Sequence, residues 1–154
     1  MLDVGSPFPN FSLQNQSGDT VTLNDLKGSQ TIVYFYPKDD TPGCTVEACS
    51  FRDRHGEIRA LGAIVLGVSP DDRDSHVKFV DKFNLNFPLL VDEGAELARK
   101  LGVWKEKNMY GKKSMGIERS TFLIDRDGVI RRAWRRVKVE GHTDEVISAL
   151  REMM

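Results

Sequence analysis

Apolar residues along the chain fall into short closed runs, separated by stretches in which they recur at helical spacing. Thr31–Tyr36 is an unbroken β-branched and aromatic run that stops at Pro37, the pattern of a strand buried on both faces. Ala63–Val68 repeats that pattern and Phe87–Val91 is a shorter version. Between the runs, Pro42–Leu61 has no internal proline and a helical pattern, as do Arg73–Phe83 and Ala95–Leu101, the last followed by Gly102. Phe11–Leu23 holds two short alternating pieces around Gln16-Ser17-Gly18-Asp19, which predicts a hairpin. Ser120–Asp125 and Val129–Val139 predict a second hairpin across Arg126-Asp127-Gly128, and His142–Met154 a closing helix. The polar segment Trp104–Glu118, with Gly111 and Gly116, reads as a long loop of the kind that often carries function. Strands alternating with helices predict an α/β fold of packed layers, without fixing the strand order.

Composition narrows the class. A chain of 154 residues, 40% hydrophobic and 29% charged, reads as one globular domain over 1–154. Its net charge of −1 gives no support to a nucleic-acid or membrane-surface partner. The basic cluster Arg131, Arg132, Arg135, Arg136 and Lys138 reads as a solvated strand face. No run approaches the roughly 18 apolar residues that a membrane helix needs. The opening MLDVGSPFPN lacks the basic start and apolar region of a secretory signal, so the expected location is cytoplasmic. In that reducing compartment, two cysteines are reactive, metal-binding or buried rather than a disulfide scaffold.

The chemistry concentrates in Pro37–Cys49. A buried strand ends at Pro37 and a helix starts a few residues later, with Thr41 at the N-cap and Pro42 at the first helical position. Cys44 then falls in the first turn, where amides lack intrahelical partners and the helix dipole is positive. Both effects favour thiolate over thiol, the form that acts as a nucleophile. The Thr41 hydroxyl oxygen is expected to cap the Cys44 amide, leaving its hydrogen free to donate toward sulfur or substrate.

Cys49 lies five residues on. On one helix the two cysteines stand about 140° apart around the axis, with Cα atoms roughly 8.6 Å apart. A disulfide needs about 4.4–6.8 Å and converging Cβ vectors. An intact helix therefore forbids the bond, and the spacing suggests a switch between a folded dithiol and a locally unwound disulfide. A metal site is disfavoured, because neither the cysteines nor His55, His76 and His142 show ligand spacing. A thioredoxin-type exchange enzyme has C-x-x-C. The longer gap suits a first cysteine that attacks a peroxide alone, becomes sulfenic acid, and then condenses with a second thiol.

At these residues the sequence resembles the peroxiredoxins, thiol peroxidases with a P-x-x-x-T-x-x-C motif, here Pro37, Thr41 and Cys44. The resemblance runs through YFYPKDDTPGCTVEAC to GIERSTFLID at Gly116–Asp125, and a second cysteine five residues after the first is similar to the peroxiredoxin Q, or bacterioferritin comigratory protein, subfamily. It implies a thioredoxin-like fold, a central mixed sheet flanked by helices with an N-terminal hairpin extension. It implies peroxidatic Cys44 and resolving Cys49 in an intrachain pair, and hydrogen peroxide and organic hydroperoxides as substrates. It also implies a monomer, a thioredoxin-type dithiol as reductant, and no metal, haem or flavin. Displacement at an O–O bond builds charge on the leaving oxygen. The expected donors are the amides of Gly43 and Cys44, the Thr41 hydroxyl and, by resemblance, the guanidinium of Arg119, with Glu47 orienting it and Pro37 shaping the strand exit. A disulfide oxidoreductase and a peroxide sensor using the same pair remain the alternatives.

Overall fold

The computed structural model describes residues 2–153. The central strand, β3 (Gln30–Phe35), is the continuous apolar run, and all its residues are buried. It pairs in parallel with β4 (Ala63–Ser69) and antiparallel with β8 (Ser120–Ile124). Outside these lie β5 (Leu89–Val91), parallel to β4, and β9 (Ile130–Arg135), antiparallel to β8. The five-stranded mixed sheet thus has the order β5-β4-β3-β8-β9.

Alternation along β3 divides the core between the two faces. Ile32 and Tyr34 pack with Ala48, Phe51, Ile58, Phe79, Ile147 and Leu150. These come from α2 (Pro42–Asp53), α3 (His55–Ala60), α4 (Arg73–Phe83) and α6 (His142–Glu152). Val33 and Phe35 pack on the other face with Leu26, Leu97, Leu101 and Phe122, drawing in α1 (Leu23–Leu26) and α5 (Glu96–Lys100). The N-terminal hairpin is β1 (Ser12–Gln14) and β2 (Thr20–Thr22). The layered α/β arrangement and the hairpin extension agree with the sequence pattern.

Four expectations need correction. Trp104–Glu118 is not a loop: β6 (Trp104–Met109) and β7 (Lys112–Ile117) form an antiparallel hairpin. Tyr110 and Gly111 turn it with φ of 54° and 78°, the left-handed pair of a tight two-residue turn. Lysines on both strands hide any apolar alternation, and Trp104 and Ile117 at its base reach the core. The Pro42–Leu61 helix is interrupted at Arg54, where φ is −103° and ψ is 6°. Gly56 weakens helix propensity here, and the Arg54 guanidinium reaches Glu57 and Asp144.

Finally, β9 stops at Arg135 rather than Val139, because Arg136 takes a left-handed φ of 56°. Arg135 is no solvated charge: it donates to the carbonyls of Leu101 (2.9 Å) and Leu2 (2.8 Å) and lies over the Phe122 ring. The last residue of the expected closing helix, Met154, lies outside the described residues.

Candidate active site

Topology explains how residues far apart in sequence meet. Because β8 runs antiparallel to β3, with Ser120 opposite Phe35, the start of β8 lies where β3 ends and the chain turns into α2. Arg119, the residue before β8, is thereby delivered to the first turn of α2. Its backbone carbonyl accepts from Val137 N–H at 2.9 Å, fixing the strand entrance.

Cys44 is the third residue of α2 and is buried, packed within the cluster that includes Ala48 and Phe51. Gly43 and Cys44 occupy the second and third helical positions, so their amides have no intrahelical acceptor. The Arg119 guanidinium bridges two partners: Nη2 donates to Cys44 Sγ at 3.3 Å and Nη1 to Glu47 Oε1 at 2.7 Å. Gly43 permits this approach, since a Cβ there would sit 3.1 Å from Nη2.

Glu47 stands one turn after Cys44 and is only 1% exposed. Its Oε2 has no hydrogen-bond partner among the described residues. Burial pushes its carboxyl up to about 7, against the opposing pull of Arg119. Burial also raises the phenol of Tyr34 well above its ordinary value, with Glu47 and Cys44 adding to the effect.

Thr41 departs from expectation. It is extended, as an N-cap residue should be, but makes no side-chain cap. Its hydroxyl donates instead to the Lys38 carbonyl at 2.8 Å, so its hydrogen is engaged locally. The left-handed Asp40 (φ 55°) folds the chain back within this bond. Pro37 sits half-buried at the strand exit.

Cys49 is half-buried on α2, and both thiols are free. With both on one helix, regular geometry keeps the Cα atoms roughly 8.6 Å apart, beyond disulfide reach.

Lys107 carries no signal in the sequence, Asp39 stands in the motif without a role, and His76 enters there only as a candidate metal ligand. The Lys107 stem crosses from β6 over Gly116, which has no side chain to block it. Burial first, and Arg119 second, lower its ammonium below the ordinary lysine value, while Cys44 opposes both. Asp39, Asp71 and His76 form a compact trio, in which the side-chain polar atoms of Asp39 and His76 and one Asp71 oxygen are engaged with one another and with neighbours. Asp39 Oδ2 lies 2.7 Å from His76 Nδ1, and Asp71 Oδ2 accepts from Asp39 N–H at 2.8 Å and from Ser69 Oγ at 2.7 Å. That is a hydrogen-bonded network rather than an open set of metal ligands. His55 and His142 are elsewhere: His55 stands edge-on to Phe87, and His142 Nε2 meets Thr121 Oγ1 at 2.8 Å.

The arrangement combines a first-turn thiol, a guanidinium on its sulfur and a buried carboxylate holding that guanidinium. It can stabilise a thiolate and receive negative charge developing beside it. The AhpC/TSA family profile matches residues 4–133. Peroxiredoxin Bcp of Bacillus subtilis is 49% identical over 152 residues, covering 99% of this chain and 97% of that protein. The PrxQ structure from Xylella fastidiosa superposes with a TM-score of 0.94 at 39% identity, covering 99% of this chain and 98% of that one. The bacterioferritin comigratory protein of Xanthomonas campestris, studied for alkyl peroxide reduction activity, superposes with a TM-score of 0.89 at 45% identity, covering 93% and 91%. The fold is the thioredoxin-like fold of these peroxiredoxins.

Proposed function

The chain belongs to the AhpC/TSA family, among the peroxiredoxins named Bcp and Q, and from that premise we propose that it reduces hydrogen peroxide and organic hydroperoxides through Cys44 and recovers through Cys49. The observation that carries the reading is the Arg119 bridge between Cys44 Sγ and Glu47 at the start of α2.

The Cys44 thiolate attacks one peroxide oxygen. An S–O bond forms, the O–O bond breaks, and the leaving oxygen departs with the electron pair and takes a proton as alcohol or water. Arg119 and the amides of Gly43 and Cys44 are the donors that receive this charge. The Thr41 hydroxyl joins them on release from the Lys38 carbonyl. Glu47 orients the guanidinium, and Pro37 shapes the strand exit beside it.

The sulfenic acid of Cys44 then meets the Cys49 thiol. The S–S bond forms, the S–O bond breaks, and water leaves. Because the helix holds the sulfurs apart, the first turns of α2 unwind for this step. A thioredoxin-type dithiol reduces the disulfide by exchange, taking the oxidation onto its own pair. The reading is of a one-domain cytoplasmic monomer using no metal, haem or flavin.

Mass spectrometry after one equivalent of hydrogen peroxide tests it. The wild type should lose two hydrogens as an intrachain Cys44–Cys49 disulfide, Cys49→Ser should gain one oxygen at Cys44, and Cys44→Ser should not consume peroxide. Full turnover by Cys44→Ser would refute the reading. Reduction of insulin disulfides without peroxide would point to an exchange enzyme. Negligible turnover with partner binding only when oxidised would point to a sensor.

A further inference from the structure

Behind the site lies a buried polar network with no part in the steps above. His76, on the first turn of α4, is fully buried. Its Nε2 lies 2.8 Å from the Leu90 carbonyl, which can only accept, so Nε2 carries a hydrogen. Its Nδ1 lies 2.7 Å from Asp39 Oδ2. That carboxylate already accepts the hydroxyl of Ser75 at 2.8 Å and, through Oδ1, the phenol of Tyr36 at 2.6 Å. A carboxylate receiving two hydroxyl protons is an acceptor toward the ring as well. Both imidazole nitrogens therefore donate, which makes His76 an imidazolium.

The network fastens the chain leading into α2. Asp39 stands between Pro37 and Thr41, and its main-chain N–H donates to Asp71 Oδ2 at 2.8 Å. The next residue, Asp40, pairs with Lys82 in the last turn of α4 at 2.7 Å. The segment 37–40 is thus held at both ends of α4, and Cys44 follows within four residues. We propose that Asp39 and His76 are positioning residues for Cys44, a buried carboxylate–imidazolium clamp that fixes segment 37–41 on α4 and holds the first turn of α2 in its peroxide-reactive form. This role rests on the thiol-peroxidase reading. It also makes Thr41 the hinge, so that α2 unwinds from a fixed start.

The charged and titratable groups facing the imidazole are Asp39 and Tyr36 from the β3 exit and Asp71 from the β4–α4 connection; β5 presents the Leu90 carbonyl. Burial lowers the imidazole, but the Asp39 hydrogen bond and charge, the Leu90 carbonyl and Asp71 together raise it above the ordinary histidine value. The clamp is therefore complete below the ordinary value and is lost as pH rises through the raised one.

The test pairs nitrogen-15 NMR of the reduced protein with stopped-flow oxidation by hydrogen peroxide, for wild type and Asp39→Asn, from about pH 5.5 to about pH 9. In the wild type at about pH 6.5, both His76 ring nitrogens should carry protons, and in Asp39→Asn only one. The wild-type second-order rate constant should fall about tenfold as His76 deprotonates, while Asp39→Asn should show the low rate with no such alkaline limb. Loss of stability alone would not remove that limb. A reactive wild type with a singly protonated His76 overturns the clamp alone and needs no variant to show it. An Asp39→Asn protein that keeps the wild-type rate or its alkaline limb also overturns it. A wild type inert to peroxide refutes the peroxidase reading and the positioning role with it.

Discussion

Replacing Glu47 by Gln separates what the buried carboxylate costs from what it does. The side chain is 1% exposed, one oxygen has no partner among the described residues, and its carboxyl is raised from 4.5 to about 7. That difference of 2.5 units corresponds to about 3 kcal/mol at 1.36 kcal/mol per unit, an upper figure for the charged form. The folded protein holds this proton more tightly than the unfolded chain does. Its contribution to stability is therefore full below 4.5 and is lost as pH rises through about 7. Glutamine keeps an acceptor for Arg119 Nη1 and carries no charge to desolvate. Urea unfolding of the reduced proteins should show Glu47→Gln close to wild type at about pH 4.5, pulling ahead toward about 3 kcal/mol by pH 7 and level beyond. Its reaction with peroxide should nonetheless slow, because the guanidinium loses its ionic anchor. A stability difference independent of pH would refute the reasoning. So would a glutamine variant less stable than wild type above pH 7, since the ion pair with Arg119 would then outweigh burial.

Arg119→Ala should lower the second-order rate with hydrogen peroxide by about 10²–10³, the loss of one donor to developing charge; a wild-type rate in stopped flow would contradict its role. Gly43→Ala should slow the same reaction with little change in unfolding, because the added methyl meets Nη2 at 3.1 Å and displaces the guanidinium. Gly67→Ala should leave the chemistry intact but cost about 1–3 kcal/mol in urea unfolding, since its Cβ would lie 2.7 Å from Leu89 Cδ2 and 3.0 Å from the Tyr34 hydroxyl.

Where pattern and packing agreed, the sequence was readable. Thr31–Tyr36 and Ala63–Val68 announced two-sided burial because both faces of β3 and β4 do meet core clusters. The first-turn placement of Cys44 followed from Thr41 and Pro42 alone, since local chain stiffness decides it. The β6–β7 hairpin was opaque, because its strands hold together by backbone pairing and a Tyr110-Gly111 turn while Lys105, Lys107, Lys112 and Lys113 mask the alternation. The Thr41 cap failed because a hydroxyl has a choice of partners, and the Lys38 carbonyl was nearer to hand than an amide. His76 shows the deeper limit. It looks like an ordinary helix residue, and only the meeting of the β3 exit with α4 makes it a partner for Asp39, whereas the contact of Glu47 with Arg119 is implied by the family resemblance and its burial comes only from the meeting of α2 and β8.

The most direct measurement is amide hydrogen exchange on the reduced protein and on protein oxidised by one equivalent of peroxide. Protection of the α2 amides around Cys44–Cys49, from Thr45 onward, should fall when the Cys44–Cys49 bond forms, while β3 and α4 keep theirs. An intrachain bond with protection in α2 unchanged would contradict the claim that this helix must unwind in every cycle.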